Sequence, residues 1–233
     1  MPSFVLDSLD FKKRHGKLLS VLSTDVVEGL LSVLVQFYDP LYHCFTFPDY
    51  QLVPMLEEYA NLLGMPVSNK VPFSGLEETP KSQVIAESLH LKKYEIDAHL
   101  VKTEGIIGLT SEFLISKATT FVQAGSMDAF EAIFVLLIYG LSLFPNIDGF
   151  VDINAIRIFL IENLVPTLLG DTYFSLHLRN LKDGGTIACC VPLLYKCLDI
   201  IDSCGEFSNV PLIGTQGGIN YSLALARRQL GFP

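Results

Sequence analysis

The sequence predicts an all-α fold: an irregular multi-helix globular domain built around a buried apolar central helix, with little or no β structure. Three observations carry this reading. Apolar residues recur at helical spacing between segments opened by Asp, Thr, Ser or Pro and closed by Gly or Pro. One stretch, residues 132–147, runs 16 positions without a charge. Strand-like segments are confined to residues 45–47 and 186–191.

A helix is expected to open at Asp25, where Glu28 completes a capping box, with Val26, Leu30, Val33 and Leu34 facing inward and Asp39-Pro40 stopping it. The next carries Pro54 in its first turn, Glu57 and Glu58 near its positive end and Gly64 at its exit. Leu52, Leu56, Tyr59 and Leu63 then share one face. After a polar connector at 68–78, Thr79-Pro80 begins a helix to about Leu89, and a further one covers 92–101. Gly105 and Gly108 break the chain before Thr110 caps a helix that Gly125 ends.

Ser126 caps the central helix, and Phe144-Pro145-Asn146 closes it. Its uncharged run is shorter than the ~20 apolar residues a bilayer requires. Asp128 and Glu131 stand at its start and Asp148 just beyond its end, with no flanking Lys or Arg, so the stretch reads as a core helix and no membrane association is expected. Helices over 152–163 and 167–181, a turn at Asp183-Gly184-Gly185 and a short helix at 192–201 lead to a Gly-rich loop, 203–220, and a last helix, 222–230. Residues 1–233 are expected to form a single α-helical domain.

The chain has 233 residues, enough for one large domain or two small ones. It is 50% hydrophobic and 18% charged, with mean hydropathy +0.41, a composition that excludes disorder. A net charge of −9 argues against direct nucleic-acid binding, which needs clustered cations. The basic spots (Lys12, Lys13, Arg14 and Lys17; Lys92 and Lys93; Arg227 and Arg228) read as solvated faces. The five cysteines, Cys44, Cys189, Cys190, Cys197 and Cys204, are odd in number, and MPSFVLDSLDFKKRHG lacks the basic-then-apolar order of a secretory signal. Reduced thiols and a nuclear or cytoplasmic location are expected.

No motif defines a reaction. Cys189, Cys190, Cys197 and Cys204 do not form the paired C-x₂-C knuckles of a zinc site, and they read as small buried residues. His43 lies beside Cys44, but nothing requires it to join them. A Cys204–His177–Asp171 triad can be written down, but a triad is defined by geometry rather than composition. His177 reads as part of a polar helix face, with Asp171 near that helix's start. Gly214-Thr215-Gln216-Gly217-Gly218 lacks the Lys and following hydroxyl of a phosphate-binding loop. Glu57 and Glu58 point about 100° apart on their helix, so they are not a carboxylate pair. The aromatic residues Phe37, Tyr38, Tyr42, Phe45, Phe47 and Tyr50 have no interleaved cations and read as core or partner contacts. The expectation is a non-enzymatic protein with no catalytic, cofactor-binding or metal-binding residues, no cofactor, and a protein partner.

The segment FYDPLYHCFTFPDYQLVPMLEEYANLLGMPV resembles the opening of plant mobile domain proteins, in which an aromatic stretch precedes a helix ending Leu-Leu-Gly-x-Pro. GLTSEFLISKA (108–118), GSMDAFEAIFVLLIYGLSLFPNIDGFVDINAIRIFL (125–160), GGTIACCVPLLYK (184–196), SCGEFSNVPLIGTQGGINY (203–221) and LARRQLGFP (225–233) resemble a legume-expanded, transposon-associated branch of that family. The resemblance covers nearly the whole chain. It implies a transposon-derived interaction module in nuclear complexes linked to transposon silencing or genome maintenance. Members are sometimes labelled aminotransferase-like, but the resemblance carries no catalytic residue set. The family pattern continues after PLLYK with a Trp-containing segment, whereas Lys196 here is followed at once by Cys197-Leu198-Asp199, and the chain has no Trp. The resemblance therefore implies an internal deletion near 197–199 and a truncated C-terminus. A degenerate transposable-element remnant is the alternative reading, and an unrecognised enzyme using Cys204 or His177 is a third.

Overall fold

The structure, a computed structural model, describes residues 8–26, 29, 33, 35–46, 51–67, 73–75, 78–181, 189–202, 210–214 and 217–221. In chain order it comprises α1 (Ser8–Leu22), a 3₁₀ turn (Val35–Phe37), β1 (Tyr38–Asp39), β2 (Cys44–Thr46), β3 (Gln51–Leu52), α2 (Leu56–Leu63), α3 (Ser82–Ser88) and α4 (Lys93–His99). Next come β4 (Val101–Thr103), β5 (Ile106–Thr110), α5 (Ser111–Ala124), α6 (Met127–Ile138) and a π-helical turn (Tyr139–Leu143). Then follow β6 (Phe150–Asp152), α7 (Ile153–Ile161), α8 (Leu164–Leu181), α9 (Val191–Asp202), β7 (Val210–Gly214) and β8 (Gly217–Tyr221). The chain divides into two compact units. Unit 1 is Met1–Lys12, Ser68–Leu168 and Ala188–Cys190; unit 2 is Lys13–Val67, Leu169–Ile187 and Val191–Pro233.

The all-α expectation is overturned. The protein is mostly helical, but β1-β2-β3 and β4-β5-β6 form two three-stranded antiparallel sheets, and β7 pairs with β8 inside the stretch expected to be a Gly-rich loop. The cause is local. Glu104 (φ 52°) and Gly105 (φ 89°) both take the left-handed conformation, the requirement of a type I′ turn, and this closes β4 onto β5 with Thr103 opposite Ile106. Val101 therefore begins a strand, and α4 stops at His99. Phe45 is in β2 as expected. Residues 186–188 of the other expected strand lie outside the described residues, and Val191 opens α9.

In unit 1, β5 holds Leu109 opposite Val151 of β6. These residues join Ile85 and Leu89 of α3, Ile96 of α4, Leu114 of α5, Ile133 and Leu136 of α6 and Ile156 of α7 in one buried core. α5 starts where Thr110 Oγ1 accepts the Phe113 amide at 3.4 Å, and it ends at Gly125 (φ 72°). Asp152 caps α7, its Oδ1 accepting the amides of Asn154 (2.9 Å) and Ala155 (2.8 Å). The central helix is as apolar as expected, but it loosens into the π turn before Phe144. That turn presses Gly140 against β6, where an added Cβ would lie 2.6 Å from the Val151 methyls. Among the described residues, no helix is long and apolar enough to cross a membrane.

In unit 2, Tyr38 pairs with Phe45 and Phe45 with Leu52, so one buried residue from each strand lies on one face. Leu52 is a strand residue rather than part of α2. Tyr59 and Leu63 of α2 are buried, and Gly64 (φ 68°) ends that helix as expected. Lys17 of α1 donates to the Asn61 carbonyl at 3.1 Å. Leu176 of α8 and Leu193 and Leu194 of α9 are also buried in this unit.

Of the helix expected from Asp25, residues Glu28, Leu30 and Leu34 lie outside the described residues, Asp25 and Val26 are non-helical, and Val33 is 50% exposed rather than inward. The expected turn at 183–185 and helix at 222–230 also lie outside the described residues.

Candidate functional site

The aromatic segment that opens the family resemblance builds a turn and a polar layer in unit 2. Asp39 Oδ1 accepts the amides of Leu41 (2.8 Å) and Tyr42 (3.2 Å), an Asx turn that fixes the β1–β2 connection. His43 closes it in the left-handed region (φ 53°). The Tyr38 hydroxyl lies 3.3 Å from His43 Nδ1, and the His43 ring meets the Tyr173 ring edge-on at 6.0 Å. Tyr173 in turn donates to the Pro54 carbonyl at 2.7 Å. These contacts draw the turn, the segment before α2 and α8 together.

Outside this frame, Leu41 on the turn is 76% exposed, and the neighbours of His43, Tyr173 and Pro54 also face solvent: Tyr42 is 70% exposed, Phe174 62% and Val53 46%. The expected aromatic cluster is therefore divided. Tyr38 and Phe45 are core, Tyr42 is surface, Phe37 is marginally exposed, and Phe47 and Tyr50 lie outside the described residues.

Beneath the turn lies a buried acid that the sequence reading missed. Glu58 Oε2 accepts the Met55 amide at 3.0 Å, sealing the start of α2, and the Cys197 thiol of α9 donates to the same oxygen at 3.6 Å. Burial pushes the Glu58 carboxyl above its ordinary range, although the Met55 amide and Cys197 thiol pull the other way. Burial, and then the Glu58 charge, holds the Cys197 thiol well above the ordinary range. A thiol kept protonated in this way is a hydrogen-bond donor, not a nucleophile. Tyr173 is also raised, first by burial and then by the surrounding Tyr38, Cys197, Glu58 and Cys44. Nearby, the Tyr59 hydroxyl donates to Thr172 Oγ1 at 3.1 Å.

The structure does not assemble the Cys204–His177–Asp171 triple from the described residues. Cys204 lies outside them. Asp171 and His177 are six residues apart on α8, which places them on different sides of the helix. Asp171 falls in the middle of α8 rather than near its start, because the helix begins at Leu164 with Pro166 in its first turn. Burial pushes the Asp171 carboxyl up to about 6. Cys44, Cys189, Cys190 and Cys197 are buried, and no cluster of His, Cys, Asp or Glu suited to a metal occurs among the described residues.

Unit 1 carries an open cleft of about 340 Å³ at the exit of the π turn, lined by Gly140, Leu141 and residues 145–149. Asn146 at its rim donates to Asp152 Oδ2 at 2.8 Å, so the nearest buried carboxylate is already committed to α7 and to this bond.

With this geometry, the family described as Domain of unknown function (DUF7745) matches the chain over residues 4–199 and 195–233, and the chain belongs to it. No curated protein and no solved structure matches the chain.

Proposed function

We propose that the chain is a non-enzymatic protein-interaction module of the plant mobile domain kind, transposon-derived and acting in nuclear complexes linked to transposon silencing or genome maintenance. The observation that carries the interaction reading is the exposure of Leu41 and Tyr42 on a turn that Asp39 and His43 hold in place. Apolar side chains fixed in solvent are a feature of binding surfaces. The locked Cys197 thiol supports a non-catalytic role, and the −9 net charge favours a protein partner over direct contact with nucleic acid. The nuclear and transposon parts rest on the sequence resemblance alone. The test is affinity capture of the tagged chain from plant nuclei, with a fluorescent fusion reporting location. A specific partner that survives washing supports the reading; no partner, or a fusion excluded from nuclei, overturns the corresponding part.

A second reading, a degenerate transposable-element remnant, is supported by one observation. The family match falls into two segments that meet at 195–199, where the family resemblance implies an internal deletion. Those residues lie within α9, the helix that supplies Cys197 to Glu58. Thermal unfolding with far-ultraviolet circular dichroism tests it. One cooperative transition counts against a remnant, and a gradual melt with dye-binding apolar surface supports it.

A further inference from the structure

We propose that Thr79 is the phosphoacceptor of a proline-directed serine/threonine kinase, and that Arg157 of α7 holds the phosphate it gains. Both residues belong to unit 1, so the site stands apart from the interaction reading above. Of the 12 prolines in the sequence, Pro80 alone follows a Ser or Thr, which leaves such a kinase a single acceptor in this chain. Thr79 is exposed in the irregular segment that precedes α3. Pro80 biases it towards the extended backbone that a kinase cleft accepts. Thr79 does not cap α3: Lys81 is the N-cap, and no side-chain bond is made there.

The Thr79 hydroxyl instead accepts from Arg157 Nη2 at 3.1 Å. Asn154, three residues earlier on α7, accepts from Arg157 Nη1 at 3.1 Å and so orients the guanidinium. Nε, on the same edge of the guanidinium as Nη2, is buried and has no hydrogen-bond partner among the described residues. That edge therefore offers two parallel N–H donors, of which a neutral hydroxyl uses one. A phosphate brings three acceptor oxygens and close to two negative charges, and a guanidinium edge binds it through both donors. Along the chain, Glu78 opposes the added charge and Lys81 supports it, so Arg157 decides the balance. In the transfer, Thr79 Oγ1 attacks the γ-phosphorus of ATP and forms a new P–O bond. The bond from that phosphorus to the β,γ-bridging oxygen breaks, ADP leaves, and the hydroxyl proton passes to the kinase's catalytic carboxylate. A neutral contact is thereby replaced by a charge-assisted one that ties the segment before α3 to α7.

The test incubates the purified full chain with ATP and a proline-directed kinase, locates the acceptor by mass spectrometry and titrates the phosphate by phosphorus NMR. Transfer to Thr79 in the folded chain is expected, and Thr79→Ala should abolish it. The phosphate is expected to lose its last proton about one pH unit below the value of about 6 for free phosphothreonine. Arg157→Gln is expected to remove most of that shift, and Arg157→Lys, which keeps a cation without the fork, to retain part of it. Circular dichroism checks that each variant folds. Comparison of the parent with a synthetic phosphothreonine peptide spanning the same segment keeps the test decisive if the Arg157 variants do not. No transfer, transfer only after unfolding in urea, or a phosphate that titrates as it does in the peptide overturns the proposal. A shift that Arg157→Gln leaves unchanged overturns it too.

Discussion

Cys197 Sγ lies 3.6 Å from Glu58 Oε2, joining two side chains 139 positions apart in the interior of unit 2. The acid is exceptional because it faces inward from the first turn of a helix, where a carboxylate normally meets water and the helix dipole. Its backbone bond to Met55 explains the position, and the thiol provides a second donor.

Because burial raises the Glu58 carboxyl, the folded state holds its proton more tightly than the unfolded chain does. This acid therefore lowers stability as pH rises above its ordinary carboxyl range. Glu58→Gln, which keeps an acceptor and removes the charge, is expected to match the parent near pH 4 and to unfold at higher temperature near pH 8. A lower midpoint at both values would show that the charge is stabilising. Cys197→Ala, which empties a buried position, is expected to cost about 1–2 kcal/mol in chemical denaturation.

Asp171 gives a second pH signature with the same sign. With its carboxyl raised to about 6 by burial, the contribution of Asp171 to stability should be greatest below pH 4, decline as pH rises towards 6, and level off above that. Asp171→Asn is expected to remove the decline and raise stability at pH 7 by about 1–2 kcal/mol, a figure discounted for partial contact with solvent. Thermal midpoints from pH 3 to 8 measure this, and an undiminished decline in the variant would refute it.

Val151 meets two glycines in different ways. A Cβ on Gly140 would strike its side chain at 2.6 Å, whereas a Cβ on Gly108 would strike its carbonyl oxygen at 2.2 Å. Gly140→Ala is expected to cost about 1–3 kcal/mol, with part of the loss recovered when Val151→Ala makes room. Gly108→Ala should cost more and gain nothing from Val151→Ala. A double-mutant cycle by urea denaturation separates the two cases.

Glu104 holds φ 52° at the first position of a type I′ turn, a place that favours Asn. Glu104→Asn is expected to raise stability by about 0.5–1 kcal/mol, and an unchanged or lower thermal midpoint would count against the turn assignment.

Elements with a local signal at both ends were legible. Thr110 and Gly125 bracket α5, and Gly64 closes α2, where the sequence indicates. The sheets were not, because strands of two to five residues are too short to display alternation, and Glu-Gly is a weaker hairpin signal than Asn-Gly or Asp-Gly. Asp171 was placed near a helix start because the helix was expected to open at residue 167, whereas it begins at Leu164 and accommodates Pro166 inside its first turn. The aromatic character of the segment from Phe37 was evident, but its division into core and surface depends on the pairing of Tyr38 with Phe45. Glu58 was hidden for a different reason: its partner thiol lies on α9, and no local pattern relates them.

The two units also differ in how the nascent chain supplies them. Ser68–Leu168 provides nearly all of unit 1 as one uninterrupted stretch, while unit 2 combines Lys13–Val67 with Leu169–Ile187 and everything from Val191. During synthesis, the three short strands and α2 are made before Ser68–Leu168 but must wait through about a hundred residues for the unit 2 parts of α8 and α9. Unit 1 can close in that interval. The first-made part of unit 2 is thus among the last to be buried, and its apolar segments are the natural clients for chaperones.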